Sequence, residues 1–298
     1  MKFLILGKNG QVGWELQRAF ALKGTVLSLA REDFGGDLLK RTEVEKKIVE
    51  FAPDAVINAA AYTAVDKAES ERDLAFKINS EAVEHLAKVC KKQNVLLVHF
   101  STDYVFDGTG STPWSETAPV SPINAYGQSK LAGERTIEQS QCDALIFRTS
   151  WVYGVHGKNF IKTILRLAQT KECLNVVNDQ YGAPTSAEFI ADVAAELTMR
   201  VLNNGKDLTG TYHLVPDGET NWCDFARWIV SEARSLNFKL SLEAEKIRGI
   251  PSSQYPTPAK RPSNSRLNNS KLKELFPEGT IHNWDVYAKR VLVELSGQ

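Results

Sequence analysis

The chain opens on the stretch KFLILGKNGQVG, residues 2–13, which decides the prediction of the fold. Its first five residues are nearly all apolar, as in a strand buried on both faces of a parallel sheet. Three glycines follow with the spacing GxxGxxG, namely Gly7, Gly10 and Gly13, and a helical pattern begins beside them. Gly10 lets the backbone approach a phosphate, and Gly13 lets the helix pack close to the strand. The stretch therefore predicts a dinucleotide-binding turn, although such a turn can also be only a tight connection.

Apolar runs and helical patterns alternate along the first half of the chain. Strands are predicted at Lys2–Leu6, Thr25–Leu29, Ala55–Asn58, Leu96–Phe100 and Ala144–Arg148. Helices are predicted at Thr42–Phe51, Ala64–Asn94 (with a break) and Ala125–Ser140. This order is typical of a doubly wound parallel sheet with helices on both faces. The predicted fold class is α/β, of the Rossmann type.

The alternation becomes less regular after about residue 150. Further elements are predicted at Asn159–Thr170, Leu174–Val177, Thr185–Leu202, Gly210–Val215 and Asn221–Leu236, before a proline-rich segment at Ile250–Leu267. We expect an NAD(P)-binding domain at residues 1–150 and a smaller C-terminal α/β substrate-binding lobe at residues 151–298. Residues 185–216 are expected to return to the first domain.

The composition excludes several classes of protein. Of the 298 residues, 43% are apolar, and 36 basic side chains balance 36 acidic ones, so nothing suggests nucleic acid or an anionic membrane as a partner. No apolar run is long enough for a signal peptide or a membrane span. The four cysteines show no metal-ligand spacing, as in a reduced cytoplasmic protein.

The end of the second strand bears on the choice of cofactor. A carboxylate at this point usually binds the adenosine ribose, but here the residues are Ala30 and Arg31. A guanidinium in its place favours NADPH and still permits NADH, unless Arg31 is only a surface residue. Asp37 falls where the adenine should lie, and small Ala59 and Ala60 after the third strand would form a flat wall beside the cofactor.

Tyr126 and Lys130 are the central candidates for catalysis. Among the eight tyrosines only Tyr126 has a lysine four residues later, so a helix would put both side chains on one face. We expect the ammonium to lower the pKa of the phenol, which would act as a general acid or base. Thr102 follows a predicted strand and can donate to a substrate oxygen, and Asp103 can accept from a sugar hydroxyl. We interpret His99 as a packed strand residue.

Seven stretches together resemble one known family. They are GKNGQVGWELQ (7–17), NAAAYTAVDKAE (58–69), STDYVFDG (101–108), YGQSKLAGE (126–134), FRTSWVYG (147–154), NDQYGAPT (178–185) and YPTPAKRPSNSRL (255–267). On these the chain resembles the extended short-chain dehydrogenases/reductases and, within them, the dTDP-4-dehydrorhamnose reductases. The glycine and Tyr-Lys signatures belong to the whole superfamily, whereas AYTAVDKAE, STDYVFDG and RPSNSRL are narrower.

The resemblance implies a reaction and a set of residues. The reaction is reduction of the C4 ketone of a dTDP-4-dehydro-6-deoxy sugar to dTDP-L-rhamnose, with Thr102 polarising the ketone, Tyr126 protonating it and Lys130 supporting Tyr126. Asp103 and Trp151 would contact the substrate, since an indole face suits a deoxy sugar. The positions that match family cofactor contacts are Gly10, Gln11, Val12, Asp37, Leu38, Ala61, Tyr62, Thr63 and Phe100. Ala30 departs from members with an acid there, which again favours NADPH.

The proline-rich segment carries Arg261 between two other basic residues, Lys260 and Arg266. Prolines stiffen a loop, and a rigid loop with a guanidinium can bind a diphosphate bidentately. The simpler alternative is a solvated linker. On the first interpretation, Arg261 is a substrate-binding residue.

Two other functions are open on the sequence. Sugar-nucleotide dehydratases of the same fold often carry a glutamate where Tyr104 stands, so elimination lacks its base here, and an epimerase would retain its NAD. A regulatory NADP-binding subunit, like the β subunit of methionine adenosyltransferase, would need no catalytic trio. Tests for a stoichiometric enzyme partner and for sugar-nucleotide turnover would separate a subunit from an enzyme.

The last question is whether a metal joins two copies of the chain. Some members of the resembling family pair through Mg2+ held by acidic side chains, and Glu15 and Glu188 fall in the matching segments. Two glutamates without ligand spacing are more often surface charges, so they are weak metal candidates and Mg2+ is left open. A homodimer is left open.

Overall fold

The computed structural model describes residues 1–297, with Lys206 by its backbone alone. Its centre is a six-stranded parallel sheet. The strands of the chain are β1 Lys2–Leu6, β2 Thr25–Leu29, β3 Ala55–Asn58, β4 Leu96–Thr102, β5 Ala144–Thr149, β6 Val152–Tyr153, β7 Leu174–Val177, β8 Tyr181–Gly182, β9 Thr185–Ser186, β10 Gly210–His213, β11 Thr220–Asn221, β12 Ile247–Ile250 and β13 Asn264–Ser265. The order in the central sheet is β10-β5-β4-β3-β1-β2. The predicted fold class is confirmed.

The helices connect the strands and cover both faces of the sheet. They are α1 Gln11–Phe20, α2 Arg41–Phe51, α3 Val65–Ala68, α4 Arg72–Phe76, α5 Ala82–Gln93, α6 Ala125–Ser140, α7 Phe160–Ala168, α8 Ala187–Asn204, α9 Trp222–Ser235, α10 Ser270–Lys273 and α11 Trp284–Ser296. A π-helical turn at Lys77–Glu81 joins α4 to α5. The predicted break within residues 64–94 is confirmed, because a turn at residues 69–71 separates α3 from α4.

Each face of the sheet has its own apolar core, because alternate residues of a strand point to opposite faces. Phe3 and Ile5 of β1 pack with Leu16 and Phe20 of α1 on one face. Leu4 of β1 packs on the other face against α2 and α5. A fully buried side chain of this size stabilises the fold by about 1.5–3 kcal/mol, so strands that are apolar on both sides make this sheet the rigid base of the molecule.

The C-terminal half divides its elements between the sheet and a separate core. β10 lies beside β5 at the edge of the central sheet, and α8 packs against α1. In contrast, α7, α9 and α11 share a third apolar cluster that includes Phe225 and Leu292. The sequence analysis missed α11. None of the helices within residues 1–297 is both long and apolar enough to cross a membrane.

The register of the strands brings polar residues to one edge of the sheet. Asn58 of β3 is paired with His99 of β4, and Thr102 of β4 with Thr149 of β5. Because all six strands run in the same direction, these carboxyl ends lie side by side, where ligands of such folds bind.

Candidate active site

A cavity of about 870 Å3 runs along the carboxyl ends of the central strands. It brings together most of the residues singled out in the sequence, although they come from the whole length of the chain. Those that line it are Gly7, Gly10, Gln11, Val12, Arg31, Asp37, Leu38, Ala59, Ala60, Ala61, Thr63, Phe100, Thr102, Asp103, Tyr126, Lys130, Trp151 and Arg261.

Two of the predicted cofactor residues do not line the cavity. Tyr62 instead directs its backbone N–H to Asn79 Oδ1 at 2.8 Å and its hydroxyl to Glu71 Oε2 at 2.7 Å. Gly13 lies behind the glycine turn, where a Cβ atom would come within 2.0 Å of the Gly7 carbonyl oxygen. A contact of Tyr62 with a ligand through its side chain is therefore not supported, whereas Gly13 is needed for close packing.

The glycine turn leads into the N-terminus of α1, which has no side-chain cap. Gly7 has φ of +88°, and a Cβ there would meet the Ala60 nitrogen at 2.7 Å, so only glycine fits. Gly10 is the N-cap of α1 and supplies no side-chain acceptor. The first amides of a helix then remain free to bind an anion, which the helix dipole also attracts.

The end of the cavity beside β2 carries both positive and negative side chains. The sequence analysis expected no carboxylate directly after β2, and the structure corrects that expectation. Glu32 lines this end together with Arg31 and Asp37. Glu32 Oε1 accepts from Asn9 Nδ2 at 3.2 Å, and Arg31 Nε lies 3.6 Å from Asp37 Oδ2. The Arg31 side chain is 76% exposed. The sequence analysis stopped at the two residues after β2 and so missed the carboxylate one position further.

Helix α6 brings Tyr126 and Lys130 to the cavity wall. Its N-cap residue Asn124 accepts from the Gly127 N–H at 2.8 Å, which fixes where the first turn begins. At Gly127 a Cβ would lie 2.2 Å from the carbonyl oxygen of Tyr104, so a glycine allows the helix to approach the end of β4. Tyr126 and Lys130 consequently lie on the same face of α6 and line the same cavity.

The prediction that the pKa of the Tyr126 phenol is lowered is wrong. Part of the Tyr126 ring is exposed in the cavity, but desolvation of the phenol raises its pKa above the ordinary range, and the charge of Asp103 acts in the same direction. A hydrogen bond with Thr102 opposes the increase. Tyr126 is therefore a protonated acid at neutral pH.

Lys130 has its hydrogen-bond partners on β4. Its Nζ donates to the Phe100 carbonyl at 2.6 Å and lies 3.2 Å from His99 Nε2. The side chain is 2% exposed, and burial lowers the pKa of Lys130 to about 8, an effect that the nearby Glu134 partly opposes. A lysine in this setting can gain or lose its proton close to neutral pH.

Thr102 and Asp103 form a buried pair at the end of β4. The Thr102 hydroxyl donates to Asp103 Oδ1 at 3.1 Å and accepts from the Tyr104 N–H at 3.2 Å. Burial raises the pKa of Asp103 to about 7, against the hydrogen bonds from Ser265 and Thr102. In this state the Thr102 proton points at Asp103, so it must turn before it can serve a substrate oxygen.

Two buried hydroxyls fit a polar ligand in the cavity. Ser101 Oγ and Thr149 Oγ1 both line it, and neither has a hydrogen-bond partner among the residues that the structure describes. Leaving buried polar atoms unpaired is costly, so such atoms indicate a group that is bound during function. Together with the N-terminal amides of α1, these hydroxyls would suit the polar groups of a bound dinucleotide.

The aromatic wall of the cavity is a pair of indoles. Trp151 stacks on Trp222 with ring centroids 3.6 Å apart and an angle of 15° between the planes. Trp151 has φ of +50°, the left-handed region, and a Cβ at Gly182 would meet its ring at 3.0 Å. The predicted sugar platform therefore already has one face covered by Trp222, a residue that the sequence analysis did not select.

Arg261 joins the proline-rich loop to the N-terminal half. Its guanidinium donates to Asp66 Oδ2 at 2.8 Å and to the Tyr104 hydroxyl at 3.2 Å. Burial, followed by the charge of Asp103, raises the pKa of Tyr104 to about 12. The loop is thus attached at the cavity wall, and the guanidinium keeps donors beyond these two bonds for an anionic ligand.

Glu15 and Glu188 take part in ion pairs outside the cavity. Both contact Arg18, at 3.1 Å and 3.8 Å, and Glu188 also lies 2.8 Å from Arg290. Within the described part of the chain, no group of three or more His, Cys, Asp or Glu side chains could hold a metal ion. The structure gives no support to the weak metal candidates.

Several lining residues could have been found from the sequence, and others could not. Ser101 and Thr149 follow predicted strands at the edge where ligands bind, so an alignment of strand ends would have selected them. Trp222 and Lys158 also line the cavity, but they come from the C-terminal lobe and no local motif marks them.

The cavity combines a glycine turn at a helix N-terminus with a general acid, a buried lysine and a hydroxyl. This combination defines a nucleotide-dependent oxidoreductase of the short-chain dehydrogenase/reductase type. A family model described as the RmlD substrate binding domain matches residues 1–296. The dTDP-4-dehydrorhamnose reductase of Salmonella typhimurium is 47% identical to this chain, over 99% of this chain and 98% of that protein. The chain belongs to the dTDP-4-dehydrorhamnose reductase family.

Solved structures agree with this assignment. A dTDP-4-dehydrorhamnose reductase from Clostridium acetobutylicum is 36% identical, with a TM-score of 0.89 and coverage of 99% of both chains. One from Bacillus anthracis, in complex with NADP, is 32% identical with a TM-score of 0.89, over 98% of this chain and 99% of that one. The resemblance noted in the sequence is confirmed over nearly the whole chain.

Proposed function

We propose that this protein reduces the C4 ketone of dTDP-4-dehydro-6-deoxy-L-mannose to dTDP-L-rhamnose with NADPH. The observation that carries the proposal is the convergence of Thr102, Tyr126 and Lys130 on one cavity, in a chain that matches dTDP-4-dehydrorhamnose reductases from end to end. The NADP-bound relative supports the cofactor. The preference for NADPH over NADH and a homodimeric state stay predictions.

The residues at the strand ends supply the proton chemistry. A bound reduced nicotinamide supplies a hydride to the ketone carbon, and the Tyr126 hydroxyl gives its proton to the ketone oxygen. The raised pKa of Tyr126 keeps that proton in place at neutral pH until negative charge develops on the oxygen. A proton from solvent then restores Tyr126.

Asp103 controls where the Thr102 proton points. While the carboxylate accepts that proton, Thr102 cannot donate to the substrate. With the pKa of Asp103 at about 7, the carboxyl group changes charge near neutral pH, and a sugar hydroxyl can take the place of Thr102 as its donor. Binding of the sugar therefore frees Thr102 to polarise the ketone.

The loops around the cavity hold the rest of the substrate. Arg261 provides a fixed positive charge for the diphosphate, and Lys158 is a second cation that lines the cavity. The Trp151–Trp222 pair offers an apolar surface for the deoxy end of the sugar. These contacts determine which sugar nucleotide is bound. The glycine turn and the Tyr-Lys pair cannot do so, because a dehydratase or epimerase of the same fold could share them.

The test is a coupled assay with a defined substrate. dTDP-glucose is converted by a 4,6-dehydratase and a 3,5-epimerase, and the loss of NADPH absorbance is followed after this protein is added. We expect rapid oxidation of NADPH with dTDP-rhamnose as product, and almost none when the epimerase is omitted. An equal rate without the epimerase would assign the unepimerised ketone as substrate, and no oxidation at all would refute the proposed reaction.

A further inference from the structure

The loop between β6 and α7, residues 154–159, lies against the glycine turn. His156 Nε2 lies 3.1 Å from the Asn9 carbonyl oxygen. The His156 ring also stacks on Trp14 of α1, with ring centroids 4.4 Å apart and an angle of 8° between the planes. One side chain of the loop therefore contacts both the turn and the helix that follows it. The function proposed above makes no use of these contacts.

The rest of the same loop is attached to Gln11, the first residue of α1. Asn159, the N-cap of α7, donates through Nδ2 to Gln11 Oε1 at 2.9 Å and to the Gly154 carbonyl at 2.7 Å. Gly157 has φ of +80°, and a Cβ atom there would come within 3.0 Å of Gln11 Cγ. These contacts fix the backbone of the loop beside the glycine turn.

Lys158 is the basic side chain that this loop brings to the cavity. Among the described residues four basic side chains line the cavity, and three of them have the protein partners given above, namely Arg31, Lys130 and Arg261. Lys158 makes neither an ion pair nor a side-chain hydrogen bond within the part of the chain that the structure describes. Its ammonium is therefore available to a ligand.

The glycine turn has no cation of its own for a bound dinucleotide. A dinucleotide places its two negatively charged phosphates at such a turn, in front of the helix N-terminus. The lysine within the turn, Lys8, donates to Asp33 Oδ2 at 2.6 Å and does not line the cavity. Backbone amides would then be the only donors that the turn offers to two charges. The ammonium of Lys158 supplies the missing positive charge from another part of the chain.

We propose that residues 154–159 form a clasp on the glycine turn, in which Lys158 binds the pyrophosphate of the cofactor and His156 positions the lysine. By charge alone Lys158 would serve the diphosphate of the sugar nucleotide equally well, but the attachment of its loop to the turn and to α1 favours the cofactor. The inference rests on the proposed function, because it takes a nicotinamide dinucleotide as the ligand of the turn. Since NADPH and NADH share the pyrophosphate, Lys158 should strengthen the binding of both to the same extent.

The first experiment compares Lys158→Met, which removes the charge and keeps an apolar stem, with Lys158→Arg, which keeps the charge. Dissociation constants for NADPH and NADH are measured by fluorescence titration without the sugar nucleotide. We expect Lys158→Met to raise both about three- to tenfold, between the effect of an exposed ion pair and that of a charge-assisted hydrogen bond. Lys158→Arg should keep most of the affinity. The control is Lys171→Met, because Lys171 is an exposed lysine just beyond α7 that does not line the cavity.

A third ligand distinguishes the cofactor from the substrate as the partner of Lys158. dTDP is titrated into protein saturated with NADP+, and its dissociation constant should be the same for the wild-type protein and for Lys158→Met. A loss of affinity for dTDP would assign Lys158 to the sugar nucleotide, and a loss for NADPH without one for NADH would assign it to the 2′-phosphate. Either result, or a Lys158→Met protein that binds both cofactors as Lys171→Met does, would overturn the inference.

The second experiment tests the attachment of the clasp with His156→Ala. If His156 acts by placing Lys158, its removal should raise both dissociation constants about two- to threefold in the wild-type background and have no effect in the Lys158→Met background. Equal losses in the two backgrounds would contradict the positioning role.

These binding measurements are independent of turnover. A wild-type protein that bound neither dinucleotide would refute the proposed cofactor and the clasp together. A wild-type protein that bound both dinucleotides but oxidised no NADPH with the sugar nucleotide would refute only the proposed reaction, and the dissociation constants of the Lys158 variants would still decide the role of the clasp.

Discussion

The floor and the rim of the cavity are built in different ways. The floor, defined as Thr102, Tyr126 and Lys130, comes from two adjacent elements, β4 and α6, and Thr102 and Lys130 are 5% and 2% exposed. The rim, defined as Arg31, Glu32, Trp151, Trp222 and Arg261, comes from loops or helix ends far apart in sequence. The Arg31 side chain is 76% exposed and that of Arg261 29%.

This difference separates chemistry from selection. Groups on the floor have fixed positions and shifted pKa values, because they are surrounded by protein and lack water. Groups on the rim are screened by solvent and can be exchanged without disturbing the sheet. Substitutions on the floor should therefore act on kcat, and substitutions on the rim on KM for one ligand.

The largest effect is expected for Tyr126→Phe. The variant keeps the ring and its T-shaped contact with Tyr104 but removes the acid, so kcat should fall about 10²–10⁴-fold. NADPH affinity, measured by fluorescence titration, should stay nearly unchanged. Tyr212→Phe is the matched control, because Tyr212 is a buried tyrosine of β10 that donates to the Leu208 carbonyl and does not line the cavity. An active Tyr126→Phe enzyme would contradict its role as proton donor.

An intermediate effect is expected for Arg261→Ala. Charge-assisted hydrogen bonds contribute about 1.5–3 kcal/mol, so KM for the sugar nucleotide should rise about tenfold or more while kcat changes little. Steady-state kinetics with varied sugar nucleotide measure both. Lys260→Ala is the control, since this neighbouring cation does not line the cavity. An equal increase in KM for NADPH would place Arg261 at the cofactor instead.

The same contrast explains what could be predicted from the sequence. The glycine turn and the Tyr126–Lys130 pair are local patterns set by strand and helix periods, so their presence and the fold were predictable. The raised pKa of Tyr126 was not, because burial and the position of Asp103 depend on packing between elements. Nor was the Trp151–Trp222 stack, which joins segments separated by β6 to β11. The sequence predicted that His99 is a packed strand residue, and it is buried. Its two ring nitrogens nevertheless contact Asn58 and Lys130, which only the register of the strands brings together.

The smallest effect is expected at the exposed end of the rim, where Arg31 and Glu32 have opposite charges. Arg31→Ala should raise KM for NADPH about two- to fivefold, the range of an exposed ion pair, and leave KM for NADH unchanged. Glu32→Gln should act in the opposite direction, because removing a carboxylate favours the 2′-phosphate. Both effects should fade as salt is added, since solvent ions screen exposed charges. Equal changes for the two cofactors would mean that Arg31 takes no part in the choice, and that the glycine turn and the floor bind NADPH and NADH alike.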